Sequence, residues 1–316
     1  MSKETSAARD GNAEASPEAT GGKLVLVATP IGNLGDLSER AAETMAAADL
    51  LCCEDTRHTG LLLSRLGIRA PRLVSLNAHN EGARSGELVA MILSGATVAL
   101  VSDAGTPAIS DPGERLVEAA VAAGCRVTTV PGPSAVLAAV VVAGFGARRF
   151  AYEGFLPRRG AERRDRIGEI AASRCPCVIF EAPSRVAATL LDLEKACGPE
   201  RRVALCRELT KLHEEIWRGG LGECAARAAL VAGTTGGKGE HVIVVDGACE
   251  GAAVDHDSLA AAVAKEMEAG LGRRDAALSV SRKLGVSKRL AYESSLSTSR
   301  PPGTPASRRG GVPGDR

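Results

Sequence analysis

Thr97-Val98-Ala99-Leu100-Val101-Ser102-Asp103-Ala104-Gly105-Thr106-Pro107 is a short aliphatic and β-branched run that ends in a loop of Gly, Pro and polar residues. The same design recurs where Leu24 to Ala28 meets Thr29-Pro30-Ile31-Gly32-Asn33, and where Arg126 to Val130 meets Pro131-Gly132-Pro133-Ser134-Ala135. Each run reads as a buried parallel strand. Loops leaving the carboxyl ends of parallel strands converge on one rim of an open α/β sheet, and ligands bind along that rim. The stretch therefore points to the α/β class and to the place of a site.

Outward from these loops, strands near 24–28, 49–53, 72–76, 97–101 and 126–130 alternate with amphipathic stretches. That order predicts a parallel first sheet with helices on both faces. A second α/β unit has strands near Arg149 to Phe155, Cys177 to Glu181, Val203 to Arg207, Glu214 to Arg218 and Val242 to Val245. The third and fourth of these are joined too briefly for a helical crossover, so the second sheet must be mixed. After Gly247, short helices are expected over Ser258 to Ala269, Arg273 to Leu284 and Ser287 to Ser295; the last two, meeting at Gly285-Val286, are spaced like a helix-turn-helix. The expected organisation is a disordered tail at 1–22, α/β domains at 23–133 and 134–248, a small helical appendage at 249–296 and a second disordered tail at 297–316.

Aromatic residues are 2% of the 316, so the core must be built from small aliphatic side chains. Nine cysteines, an odd number without paired CxxC spacing, read as reduced thiols of a cytoplasmic protein. No apolar run is long enough for a bilayer, and no membrane partner is expected. A net charge of +1 argues against a generally basic nucleic-acid protein, but the cations are clustered. Seven arginines (148, 149, 158, 159, 163, 164, 166) lie between Arg148 and Arg166, and six cations lie between Arg273 and Arg289. Such patches suit a phosphate backbone, although a solvated helix face explains either one alone.

Several motifs have structural explanations. Ser110-Asp111-Pro112-Gly113-Glu114 reads as a capping box with Asp111 as N-cap, Pro112 at N1 and Glu114 at N3. Ser134 can cap the Ala/Val-rich helix after it, and Asp55 or Thr56 can cap the helix after Glu54, leaving Arg57 as the partner of Glu54. Glu181-Ala182-Pro183-Ser184-Arg185 and Arg207-Glu208-Leu209-Thr210-Lys211 place more charge at strand exits, which favours a polar cleft. GxxxxGK[ST], strand-borne GxGxxG, HExxH and GxSxG are all absent, which disfavours an ATPase, a nicotinamide enzyme, a zinc peptidase and an α/β-hydrolase. The five histidines (58, 79, 213, 241, 256) read as surface or capping residues, and no metal is expected.

Taken in order, Val27 to Leu34, Glu54-Asp55-Thr56-Arg57-His58-Thr59, His79-Asn80-Glu81, the 101–113 segment, the Pro131 loop, Gly154-Phe155-Leu156-Pro157 and the Arg207 to Lys211 segment resemble the ribosomal RNA small-subunit methyltransferase I family. This is the 2'-O-methylating branch of the tetrapyrrole methylase superfamily. The resemblance runs from about Lys23 to Gly247 and echoes more weakly through Ser295. It implies two α/β domains, S-adenosylmethionine held between them, a homodimer, and as substrate the ribose 2'-hydroxyl of a cytidine in the decoding region of 16S rRNA within the small ribosomal subunit. It further implies cofactor contacts at Pro30, Ala104, Gly105, Thr106, Ile109, Ser134 and Ala135, with Asp103 adjacent and Glu181 and Leu209 closing from the second domain. Ser184 departs from the family, which more often has histidine there.

In-line displacement at a sulfonium methyl needs the attacking oxygen held about 3 Å from the carbon, so positioning carries most of the acceleration. A carboxylate base, or a cation beside the developing alkoxide, adds to it. Glu54, Asp55, Asp103 and Glu208 are the candidate bases, with Arg57 and Lys211 as electrostatic or phosphate partners. The competing readings are methylation of a small tetrapyrrole, which needs a roomy apolar cleft without basic surroundings, and a non-catalytic ribosome-binding protein, which needs no donor site.

Overall fold

A computed structural model describes residues 21–69, 71–233, 237–248, 256–284 and 288–297. The expected tails therefore lie outside the described residues except for Gly21, Gly22 and Ser297, and Cys249 and the expected Gly285-Val286 junction also lie outside them. The first sheet is made of β1 (Lys23–Val27), β2 (Leu50–Cys53), β3 (Arg72–Ser75), β4 (Thr97–Leu100) and β5 (Arg126–Val130), in the order β3-β2-β4-β1-β5. Every pairing in it is parallel. Side chains alternate between two cores: Leu24, Leu50, Cys52, Val98 and Leu100 pack on one face, and Val25, Val27, Leu51, Cys53 and Ala99 on the other. The two faces are covered by α1 (Glu39–Ala47) and α2 (Thr56–Arg65), and by α3 (Glu81–Leu93) and α4 (Glu114–Ala122). Burial on both faces explains why these strands are continuous aliphatic runs.

The second sheet contains β6 (Ala151–Phe155), β7 (Cys177–Glu181), β8 (Arg202–Arg207), β9 (Glu215–Gly220) and β10 (His241–Val245), in the order β6-β7-β10-β8-β9. Only β6 and β7 run parallel; the other pairs are antiparallel, so this sheet is mixed as expected. One face packs on α6 (Ala161–Ala172), α7 (Val186–Cys197) and α8 (Leu221–Val231). The opposite face, through Val178, Ala204, Cys206, Val242 and Val244, packs on α5 (Ala135–Ala143). That helix is apolar all round, with Val136, Ala139, Val140 and Ala143 buried and Leu137 and Val141 exposed on its outer face. It starts at the Ser134 cap and ends at Gly144, whose φ of 76° makes the left-handed stop. At the C-terminal end, α9 (His256–Glu268), α10 (Arg273–Leu284) and α11 (Lys288–Ser297) enclose a small core of Leu259, Val263, Ala276, Ala277, Val280 and Ala291.

The cysteines among the described residues are free, and burial pushes Cys52, Cys206 and Cys224 up to about 12, which keeps them inert thiols. No helix among the described residues is long and apolar enough to cross a membrane.

Candidate functional site

The three Gly/Pro loops leave β4, β1 and β5, which are adjacent in the sheet, and they are bonded to one another. Thr29 and Gly105 exchange backbone hydrogen bonds of 2.9 and 3.1 Å, Thr29 Oγ1 donates to the Ser102 carbonyl at 3.1 Å, and Thr106 Oγ1 donates to the Pro133 carbonyl at 3.3 Å. Two glycines are needed for this closeness. Gly105 sits at φ 85°, and a Cβ on Gly132 would come 3.1 Å from the Ala28 Cβ.

Between this rim and the second sheet lies a cavity of about 370 Å³. Ala104, Gly105, Thr106 and Ile109 line it from the β4 loop, and Ser134 and Ala135 from the start of α5. Glu181 and Leu209 line it from the second sheet, with Ile31, Phe155, Phe180 and Val242 as apolar walls. Pro30 and Asp103 instead face an adjoining cleft of about 130 Å³ shared with His58 and Arg65. Asp103 Oδ2 lies 3.3 Å from His58 Nδ1, while its Oδ1 is buried without a hydrogen-bond partner. The Glu181 carboxylate is fully engaged: Oε2 accepts from Thr189 Oγ1 at 2.6 Å, and Oε1 faces the Ala182 N–H at 2.9 Å and Arg185 Nε at 3.2 Å.

Glu54, Asp55, Arg57, Glu208 and Lys211 all lie outside the cavity wall. Asp55 caps α2, and Arg57 grips it with Nε at 3.1 Å and Nη2 at 2.7 Å, which holds the carboxyl well below the usual range. The expected pairing of Arg57 with Glu54 does not form, because the capping turn brings the guanidinium to Asp55 first. Glu54 is left to burial and to the charges of Asp103 and Asp55, all of which raise its pKa. Glu208 and Lys211 form a bridge that also takes in Glu240, with Lys211 Nζ 3.0 Å from Glu208 and 3.2 Å from Glu240. Partial burial raises Glu208, but the Glu240 N–H and Lys211 outweigh it and hold the carboxyl down.

The capping-box reading of 110–114 is corrected by the structure. Helix α4 begins at Glu114 with Gly113, at φ 135°, as its N-cap. Its free N–H groups go to Glu81, whose Oε1 accepts from Gly113, Arg115 and Leu116 at 3.0, 2.8 and 3.2 Å. A Gly directly before the first helical residue has no side chain to cap with, so a carboxylate from α3 fills the place. Asp111 is thereby released to line the cavity.

Two further expectations need correction. His241 is not a surface residue: it is 6% exposed at the start of β10, lines the cavity, and has Nδ1 3.1 Å from the Gly239 carbonyl. Burial pushes its pKa down, so the imidazole is neutral at pH 7. The arginine segment is not uniformly exposed either. Arg163, with a side chain 10% exposed, bonds Asp192, Thr189 and the Pro157 carbonyl, and Arg166 pairs with Glu153. Arg148, Arg149, Arg158, Arg159 and Arg164 are exposed.

Sequence reasoning missed Asp111, Glu81 and His241. The signal for Glu81 was its place in His79-Asn80-Glu81; the signal for His241 was an imidazole opening the apolar run His241 to Val245.

The family model described as Tetrapyrrole (Corrin/Porphyrin) Methylases matches residues 23–225. A protein of Mycobacterium tuberculosis (strain CDC 1551 / Oshkosh), named ribosomal RNA small subunit methyltransferase I, is 46% identical over 287 residues, covering 90% of this chain and 98% of the relative. Among solved structures, a diphthine synthase is similar at a TM-score of 0.56 and 16% identity, over 72% of this chain and 90% of that one. A uroporphyrin-III C-methyl transferase from Thermus thermophilus, complexed with S-adenyl homocysteine, is similar at a TM-score of 0.50 and 18% identity, over 71% and 97%. At such identities the two structures speak for the fold alone.

Proposed function

Since this chain belongs to the ribosomal RNA small-subunit methyltransferase I family of the tetrapyrrole methylases, we propose that it methylates the ribose 2'-hydroxyl of a cytidine in the decoding region of 16S rRNA, with S-adenosylmethionine as donor. The observation that carries the reading is the gathering of three loops from adjacent strands around one cavity closed by the second sheet. Its volume of about 370 Å³ lies in the range of small-molecule sites.

The residues present fit such a donor. Ile31, Ile109, Val136 and Leu209 offer apolar wall to a flat ring, and the Gly105 backbone leaves room for close approach. The buried, unpartnered Oδ1 of Asp103 is an acceptor waiting for a donor group beside that wall. When bound, S-adenosylmethionine supplies a methyl group on a positively charged sulfur. The chain's own part is to hold the acceptor hydroxyl in line and to exclude water. Ala104, Gly105, Thr106, Ile109, Ser134, Ala135, Glu181 and Leu209 form the donor wall, with Pro30 and Asp103 at its border.

The exposed Arg148, Arg149, Arg158, Arg159 and Arg164 are the rRNA-docking cations in this reading, together with the Arg273 to Arg289 helices. In this reading the protein works in the cytoplasm as a homodimer, on 16S rRNA of the small subunit. Labelled donor incubated with subunits lacking the modification, followed by mass-spectrometric mapping, tests the proposal. Label at a ribose 2'-oxygen of a decoding-region cytidine is expected; label elsewhere or none overturns it.

A further inference from the structure

Asp111 is the cavity-lining carboxylate left without work by the rest of the fold. The helix that its sequence would have it cap is capped by Glu81. The other acids of the cavity wall are engaged: Glu181 by Thr189 and Arg185, and Glu240 by Lys211. Asp111 has no ion-pair partner among the described residues.

Its loop is held in an unusual shape. Ala108 and Ser110 adopt φ of 66° and 63°, a left-handed conformation that side chains other than Gly, Asn and Asp seldom take. Outliers of this kind persist where surrounding structure enforces them, and they cluster at functional sites. The enforcement is visible: Ser110 Oγ and Tyr152 Oη are 2.5 Å apart, tying the β4 loop of the first sheet to β6 of the second. The carboxyl is thus pinned at the seam where the two sheets face each other.

We propose that Asp111 accepts the proton of the ribose 2'-hydroxyl during methyl transfer. The assignment rests on the methyltransferase reading above. In this step the hydroxyl oxygen forms its bond to the methyl carbon while its proton passes to an Asp111 oxygen. The carbon–sulfur bond breaks with its electron pair kept by sulfur, which leaves as a neutral thioether. The neutral Asp111 acid then returns its proton to water.

The surroundings suit a base that works near neutrality. Burial first, and then the Glu54 and Asp103 carboxylates, push Asp111 up to about 6 against the opposing pull of the Ser102 hydroxyl. Across the seam, Asp111 in turn raises the Tyr152 phenol, which burial alone already pushes up. The remaining titratable groups of the cavity wall are Glu181, Glu240 and the neutral His241. Above pH 6 Asp111 is a carboxylate ready to take a proton; below it the base is lost.

The test is Asp111→Asn, which keeps the shape and removes the basicity. Expected results are donor affinity by calorimetry within about threefold of wild type, single-turnover methylation of unmodified subunits lowered at least 100-fold, in line with the about 10²–10⁴ of general base catalysis, and loss of the acid limb near pH 6. Asp111→Glu retains part of the rate. A loss under about fivefold with the acid limb intact overturns the assignment, as does a donor affinity that falls in parallel with the rate. Failure of wild-type protein to label the subunits at all overturns the methyltransferase reading and the assignment with it. Carbon-13 NMR of the donor-free wild-type protein, which needs no variant to fold, should show Asp111 titrating near 6; a normal titration of that carboxyl also overturns it.

Discussion

Replacing Glu81 by alanine should damage this protein more than any surface carboxylate of the first sheet. Its side chain, 6% exposed at the start of α3, accepts three N–H groups from the first turn of α4 and the residue before it. Gly113 and Leu116 are buried, so their N–H groups lose their partner with little water to replace it. An unsatisfied buried donor costs about 1–3 kcal/mol, and the cap as a whole about 0.5–2 kcal/mol. The two orphaned donors therefore set a loss of about 3–4 kcal/mol, since the Arg115 N–H can find solvent. At about 2–4 °C per kcal/mol for a protein of this size class, Glu81→Ala should lower the Tm by about 6–16 °C. Glu81→Gln keeps an acceptor oxygen and loses the charge facing the helix N-terminus, a difference of about 1 kcal/mol, so its Tm should fall by about 2–4 °C. Thermal melts by circular dichroism read both values. Because the loop 106–113 is anchored by the same carboxylate, donor affinity by calorimetry should follow the order wild type, Glu81→Gln, Glu81→Ala. An alanine variant melting within about 2 °C of wild type, or a glutamine variant as damaged as the alanine, would refute the cap assignment.

Other outcomes follow from the same geometry. Gly105→Ala, at φ 85° and with Ile31 Cγ2 3.3 Å from the added carbon, should weaken donor binding by about tenfold, the equivalent of about 1.4 kcal/mol of strain; unchanged affinity would place the ligand elsewhere. The triple change of Arg158, Arg159 and Arg164 to alanine should leave the Tm in place and flatten the salt dependence of subunit binding by about 2–3 logarithmic units per decade. Arg163→Ala alone should instead lower stability by about 1–2 kcal/mol, because it removes the hydrogen bonds to Thr189 and the Pro157 carbonyl and the pair with the half-exposed Asp192; chemical denaturation separates the two cases. Asp111→Asn should raise the Tm at neutral pH. The raised folded-state pKa means that wild-type stability is fully present below the ordinary aspartate value and is lost as pH rises through about 6, so the variant's advantage should be absent in melts at or below the ordinary aspartate value, grow as pH rises from there to about 6, and level off above it.

Strand positions were legible because most are aliphatic or β-branched runs long enough to cross a sheet once, and the short link from Arg207 to Glu215 forced an antiparallel pair. Three loop segments were legible as a candidate site because Gly and Pro at strand exits have a local meaning. The cavity-lining residues Ala104, Gly105, Thr106, Ile109, Ser134 and Ala135 lie in or just after those loops, whereas Glu54, Asp55 and Glu208 lie outside the cavity wall. Asp55 went to its own helix cap and Glu208 to a bridge with Lys211 and Glu240, both of which depend on what lies nearby after folding. Glu54, whose pKa is raised by burial and by the neighbouring Asp103 and Asp55, lies outside the cavity.

Backbone preference and hydrophobic period act over a few residues, so the positions of the strands along the chain, the parallel and mixed sheets and the loops at their ends could be read from the chain alone, whereas the order of strands within each sheet is set by packing. Which carboxylate caps α4 and which is released into the cavity is a choice between Asp111, one turn away in sequence, and Glu81, more than thirty residues upstream. Contacts at that separation carry no local pattern. Packing α3 against α4 brings the distant acid to the helix end, and only that packing leaves the nearer one free to face the site.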